Sequence, residues 1–215
     1  MKSRSNRLLH AWLAALALLS VYYLYRAVDY RFLHADRLGP SLLNKQLWYS
    51  CHALLALPVV FGAPLQFIPT LRQSAPRLHR AIGRAYVIGA SGAALLAIYL
   101  GATIEYEGSR LSIVLTGGLW LFFTLVAWKA AVAKNFVAHR AFMIRSYAMA
   151  LVLVWLRVMD DFQDYLFFYV QDEEMRDATR EWASWVIPLI VVELWISWLP
   201  QVMRNKSVEP NPLRE

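Results

Sequence analysis

Apolar residues in this chain do not recur at the spacing of a half-buried surface helix; they run together in long stretches separated by short polar segments. Six such stretches cover residues 8–25, 47–68, 82–104, 111–131, 142–159 and 183–203. Each is close to the ~20 residues that carry an α-helix across the hydrocarbon core of a bilayer. In that solvent the backbone must satisfy its own polar groups, so the pattern predicts an all-α fold, a polytopic membrane bundle of six transmembrane helices. Lys2, Arg4 and Arg7 precede the first stretch as in a signal peptide, but no small-residue cleavage site follows, and residues 8–25 are expected to remain as an anchor.

The polar punctuation repeats. Leu78-His79-Arg80-Ala81-Ile82-Gly83-Arg84-Ala85-Tyr86 returns as Ala138-His139-Arg140-Ala141-Phe142-Met143-Ile144-Arg145-Ser146-Tyr147, with one extra residue between the arginines. Each copy opens an apolar run. The second and third stretches, then the fourth and fifth, read as two parallel hairpin repeats about an axis along the membrane normal. The expected organisation is one membrane domain over residues 1–215, with a core at 47–160, the first and sixth helices outside it, and a disordered tail at 204–215 carrying Pro210 and Pro212. In the third stretch Ala85, Gly89, Ala93, Ala97 and Gly101 fall every fourth residue, a stripe along which another backbone can approach closely. Pro58, Gly62 and Pro64 predict a kinked second helix.

Composition agrees with the pattern: 59% of the 215 residues are hydrophobic and 17% charged, against roughly 25% charged in soluble domains. The single cysteine, Cys51, excludes an intrachain disulfide and any multi-cysteine metal motif within one chain. A net charge of +7 would suit nucleic acid if it were clustered, but the bases flank the apolar runs instead. The expected partner is therefore the lipid bilayer and not nucleic acid. Lys and Arg concentrate at the N-terminus, in the turns near residues 70–80 and 129–145, and in the tail, whereas Asp160, Asp161, Asp164, Asp172, Glu173, Glu174, Asp177 and Glu181 lie on the other side. Arg26, Arg31, Arg37 and Lys45 dissent. The positive-inside bias predicts a multi-pass protein of a bacterial inner (cytoplasmic) membrane with both termini in the cytoplasm.

The sharpest candidates for chemistry are His79 and His139, at the same end of two helices. Two imidazoles facing each other across a bundle would ligate the iron of a b-type haem, and Arg80, Arg84, Arg140 and Arg145 would hold acidic groups such as its propionates. Neighbouring arginines at a helix N-terminus equally suit an anionic ligand, or the lipid phosphates that anchor any positive-inside helix start. Gln66 is placed to hydrogen-bond a quinone carbonyl or to cap carbonyls freed by Pro64 and Pro69. A second polar cluster is expected from His52, Arg157 and Asp160 toward the opposite end, as a proton relay, a headgroup site or a satisfied buried arginine. Glu193, counted with this second cluster, is an acid near mid-membrane, expected to turn inward, to be protonated, or to pair with a base such as Arg145 or Arg84. His34 is the remaining histidine placed to join His52, and His10 reads as interfacial. Trp182, Trp185, Trp195 and Trp198 read as an interface belt, and residues 162–181 as an amphipathic lid.

His52, the Gly62-Ala63-Pro64-Leu65-Gln66-Phe67 stretch, the two His-Arg copies and Leu156-Arg157 together resemble a family of predicted bacterial membrane proteins, domain of unknown function 2306. The resemblance covers residues 52–157 and implies a membrane fold without an assigned activity. The layout is also similar to that of four-helix membrane cytochromes, an analogy of fold. No phosphate-binding glycine loop, Gly-x-Ser-x-Gly elbow or zinc-protease histidine pair is present. The reading from sequence is a membrane electron-transfer component binding haem b or quinone between helices two to five. The alternatives are binding or transport of an anionic small molecule or lipid headgroup, and a structural subunit of a membrane complex.

Overall fold

The computed structural model describes residues 2–29, 44–104 and 107–205, with side chains for 11–29, 44–104 and 107–203. His34, Arg31, Arg37, the side chain of His10 and residues 206–215 lie outside this description. The elements are α1 (Lys2–Val28), α2 (Gln46–Gln66), α3 (Pro69–Ser74), α4 (Pro76–Ala102), α5 (Glu107–Val132), α6 (Phe136–Ala150), α7 (Val152–Asp161), α8 (Gln163–Leu166), α9 (Glu173–Glu193), a π-helical turn (Leu194–Trp198) and α10 (Leu199–Asn205). Among the described residues there is no strand.

Six spans are long and apolar enough to cross a membrane: Ala11–Val28, Gln46–Gln66, Pro76–Ala102, Glu107–Val132, Phe136–Asp161 and Glu173–Met203. The chain is a multi-pass membrane helix bundle. α6 and α7 form one span because the ladder passes through Leu151, whose N–H donates to Tyr147 O at 3.1 Å while its carbonyl accepts from Trp155 N–H at 3.0 Å. At the α5–α6 turn Lys134 takes a left-handed φ of 58°. Asn135 N–H closes back onto Ala130 O at 2.9 Å and Lys134 N–H onto Ala131 O at 3.0 Å, a Schellman closure that reverses the chain within three residues.

Several helices start ahead of their apolar stretches, two of them for clear local reasons. Pro76 needs no amide hydrogen, so α4 opens there and takes His79 and Arg80 into its first turns. α9 starts at Glu173 rather than near 183, because the Asp172 side chain caps it by accepting from Met175 N–H at 2.8 Å and two glutamates complement the helix dipole. The expected lid is thereby reduced to α8 and a turn around the buried Phe167.

α2, α4, α5 and α6 pack in chain order, and α2 touches α6 to close the ring. α1 lies against α2 and α7. α9 packs on α5, α6 and α7 and walls the core instead of standing outside it. Trp185 shows why: it is buried, not at an interface, and its indole N–H donates to Ser112 Oγ at 3.0 Å. Trp195 and Trp198 do face outward. The bundle carries large apolar side chains such as Phe61, Ile88, Leu95 and Phe122 on its outside, while Ser109, Ser112, Thr124, Ser146 and Ser184 are buried. This distribution suits a hydrocarbon solvent, where interhelical hydrogen bonds and close packing hold helices together.

The small-residue stripe of α4 serves two neighbours. A Cβ at Gly89 would come within 2.6 Å of the Pro58 ring and still closer to the Leu55 carbonyl oxygen of α2. One at Gly101 would meet Ile113 of α5 at 2.6 Å. Ala85, at the head of the stripe, is exposed and takes no part.

Candidate functional site

The helices part and line a partly open cavity of about 780 Å³. Its wall is mostly apolar, with Leu24, Ala56, Val59, Leu100, Met149 and Val154 among the contributors, and α1, α2, α4, α5, α6, α7 and α9 all supply residues. His52 of α2 is the histidine on this wall. Its Nδ1–H donates to Ala93 O of α4 at 2.8 Å, which fixes the ring, and Nε2 has no hydrogen-bond partner among the described residues. Trp120 and Tyr147 also line the cavity.

One end of the cavity is rimmed by charge. Asp160 accepts from Arg157 at 2.9 Å and from Arg180 at 3.1 Å, and Arg180 also pairs with Asp177. Asp161 accepts from Arg26 at 2.8 Å and from the Tyr23 hydroxyl at 2.9 Å, tying α1 to α7. The structure thus brings His52, Arg157 and Asp160 to one cavity, along with Asp161 and Glu181, which the sequence reading placed in no site. This is the acidic end of the bundle.

Glu193 lies elsewhere. It pairs with Arg145, Nε to Oε1 at 2.5 Å and an outer guanidinium nitrogen to Oε2 at 2.8 Å, and Ser197 of the π-helical turn donates to Oε2 at 2.7 Å. Arg84, the alternative partner, is exposed. Beside this pair a chain of hydroxyls crosses the core. Thr124 donates to Trp120 O at 2.7 Å, so Ser146 donates to Thr124 and Tyr86 to Ser146, both at 2.8 Å. No motif announces this chain, yet Tyr86 and Ser146 both sit in the duplicated Arg-x-Tyr elements, which was the signal available.

At the basic end His79 and His139 are partly buried and within electrostatic reach of each other, with Arg72 and Arg80 also acting on the His79 ring. His139 Nδ1–H donates to Ala127 O at 2.9 Å, and His79 Nδ1 is buried without a hydrogen-bond partner. Gln66 donates to the His79 carbonyl at 3.1 Å, fastening the end of α2 to the start of α4. Arg80, Arg84 and Arg140 are exposed.

Residues 49–196 match the family model for predicted membrane proteins with domain of unknown function 2306 (DUF2306). The chain belongs to this family. No curated protein and no solved structure matches the chain. The family match runs from the start of α2 into the π-helical turn, so both histidine sites and the Arg145–Glu193 pair fall within it and α1 falls outside.

Proposed function

We propose that the protein is a membrane redox component that holds the ring of a lipophilic quinone in the cavity between α2, α4, α5 and α6. The observation that carries this reading is the cavity itself: apolar walls for a ring and tail, one end rimmed by charge, and an oriented imidazole whose Nε2 has no partner among the described residues. Among the lining residues Asp29, Asp160, Asp161 and Glu181 outnumber Arg26 and Arg157, which weighs against an anionic ligand in this cavity. Protein purified in mild detergent from quinone-replete membranes is expected to release quinone into organic solvent and to bind added decyl-benzoquinone. Failure of both would overturn the reading.

The basic end supports a second reading, haem b between His79 and His139. A ring held through Nδ1–H to a carbonyl, as His139 is by Ala127, has the outer-shell contact typical of iron-bound imidazoles, and His79 carries a buried nitrogen in want of a partner. Arg80, Arg84 and Arg140 would then serve the propionates. Haem-replete preparations are expected to show a reduced-minus-oxidised Soret band that His79→Ala or His139→Ala abolishes; a colourless protein ends this reading. For orientation, we infer that the basic end faces the cytoplasm of a bacterial inner membrane and that both termini lie on that side.

A further inference from the structure

The hydrogen-bonding inventory of the cavity wall indicates which form of ligand it accepts. Ser20, Ser50, Thr116 and Ser184 each donate their hydroxyl proton to a backbone carbonyl of their own helix, at 2.7, 2.7, 2.8 and 2.8 Å. Tyr23 donates to Asp161 and His52 Nδ1–H to Ala93. Six side-chain donors on the wall therefore already have acceptors within the protein, while His52 Nε2 receives no donor among the described residues. Ser112, whose oxygen takes the Trp185 proton, and Tyr147 keep a hydroxyl proton, and the buried Trp120 indole N–H has no acceptor among the described residues. A wall that sets one imidazole acceptor beside a few free donors complements a head that brings its own O–H and also accepts.

Resting on the reading of the cavity as a ligand site, we propose that it selects a hydroxyl-bearing lipophile of the phenol or hydroquinone class, whose O–H is donated to His52 Nε2. An oxidised, carbonyl-only ring is the poorer guest. A carbonyl brought to His52 Nε2 sets two acceptors against each other in a low-dielectric site, whereas an O–H pairs with it. At the charged rim Arg26 and Arg157 are each paired with a carboxylate, Asp161 and Asp160. In quinone terms the cavity holds the reduced partner.

The test uses the full chain in detergent with two probes of matched shape, para-octylphenol and its methyl ether para-octylanisole, followed by tryptophan fluorescence and thermal shift. The phenol is expected to bind about tenfold more tightly than the ether, the scale of one buried hydrogen bond. In His52→Leu the preference is expected to fall to within about twofold, because the remaining contacts are apolar. Equal binding of both probes, or tighter binding of the ether, would overturn the proposed selectivity while leaving a ligand cavity in place. A preference unchanged in His52→Leu would remove His52 from the role. Binding of neither probe would count against the cavity reading itself. The comparison on the unsubstituted protein stands even if His52→Leu fails to fold.

Discussion

Arg145 and Glu193 meet inside the bundle with only 14% and 24% of their side chains exposed, joined by two hydrogen bonds and a third through Ser197. The Arg145 guanidinium also lies 5.0 Å from the centre of the Phe142 ring. Removing one partner strands the other charge in a medium that cannot solvate it, so Arg145→Leu or Glu193→Leu should each cost about 3 kcal/mol. The double substitution should cost less than either single one, since it strands nothing. Melting temperatures of the three variants in one detergent check this, and additive losses would contradict it. Pairing with a base was one of the outcomes the sequence allowed for Glu193. Which of Arg84 and Arg145 it meets was not legible, because the answer depends on how α4 and α6 are rotated about their axes, and one inserted residue between the repeat copies turns the second arginine through about 100°. The cavity around His52 was less legible still: a void is the space that several helices leave, and no residue encodes it alone.

Between elements, contact is governed by backbone approach. Gly89 seats α4 against the Leu55 carbonyl and the Pro58 ring of α2, so Gly89→Val should overpack this crossing and cost about 1–3 kcal/mol. Gly118 lies on α5 with nothing within 4 Å of the position its Cβ would take, and Gly118→Ala should be neutral or stabilise by up to about 1 kcal/mol through helix propensity. Thermal unfolding in detergent separates the two, and similar shifts would mean that Gly89 is not a packing contact. The fourfold spacing of small residues was readable in the third apolar stretch, and so was its use as an approach surface. The stripe does not show that Gly89 and Gly101 face different neighbours, because the α2 and α5 contacts follow from the order of packing around the bundle. The long apolar stretches likewise located the six spans but lost the first part of α9, where the signal is a polar cap and acidic turn rather than hydrophobicity.

For the molecule as a whole, the basic residues at its two ends do different things. At the acidic end every described Lys and Arg is engaged within the protein. Arg26 pairs with Asp161, Arg157 with Asp160, and Arg180 with Asp160 and Asp177. Lys45 donates to Thr103 O, Arg110 to Ile104 O and Arg176 to Val170 O. At the other end Arg72, Arg77, Arg80, Lys129, Lys134 and Arg140 are all exposed and make no ion pair or side-chain hydrogen bond among the described residues. Free guanidinium and ammonium groups can meet anionic headgroups, whereas bases already held by carboxylates and carbonyls have little left to offer them. Arg26 and Lys45, which dissent from the proposed orientation by count, are held by partners within the protein. In a Cys51→Ser background, Gln73→Cys at the basic end should be protected from an impermeant maleimide in intact cells and labelled after permeabilisation. Asp164→Cys at the acidic end should be labelled without it. The reverse pattern would invert the protein in its membrane and place the cavity's charged rim on the cytoplasmic side, while labelling of both positions in intact cells would break the six-span topology itself.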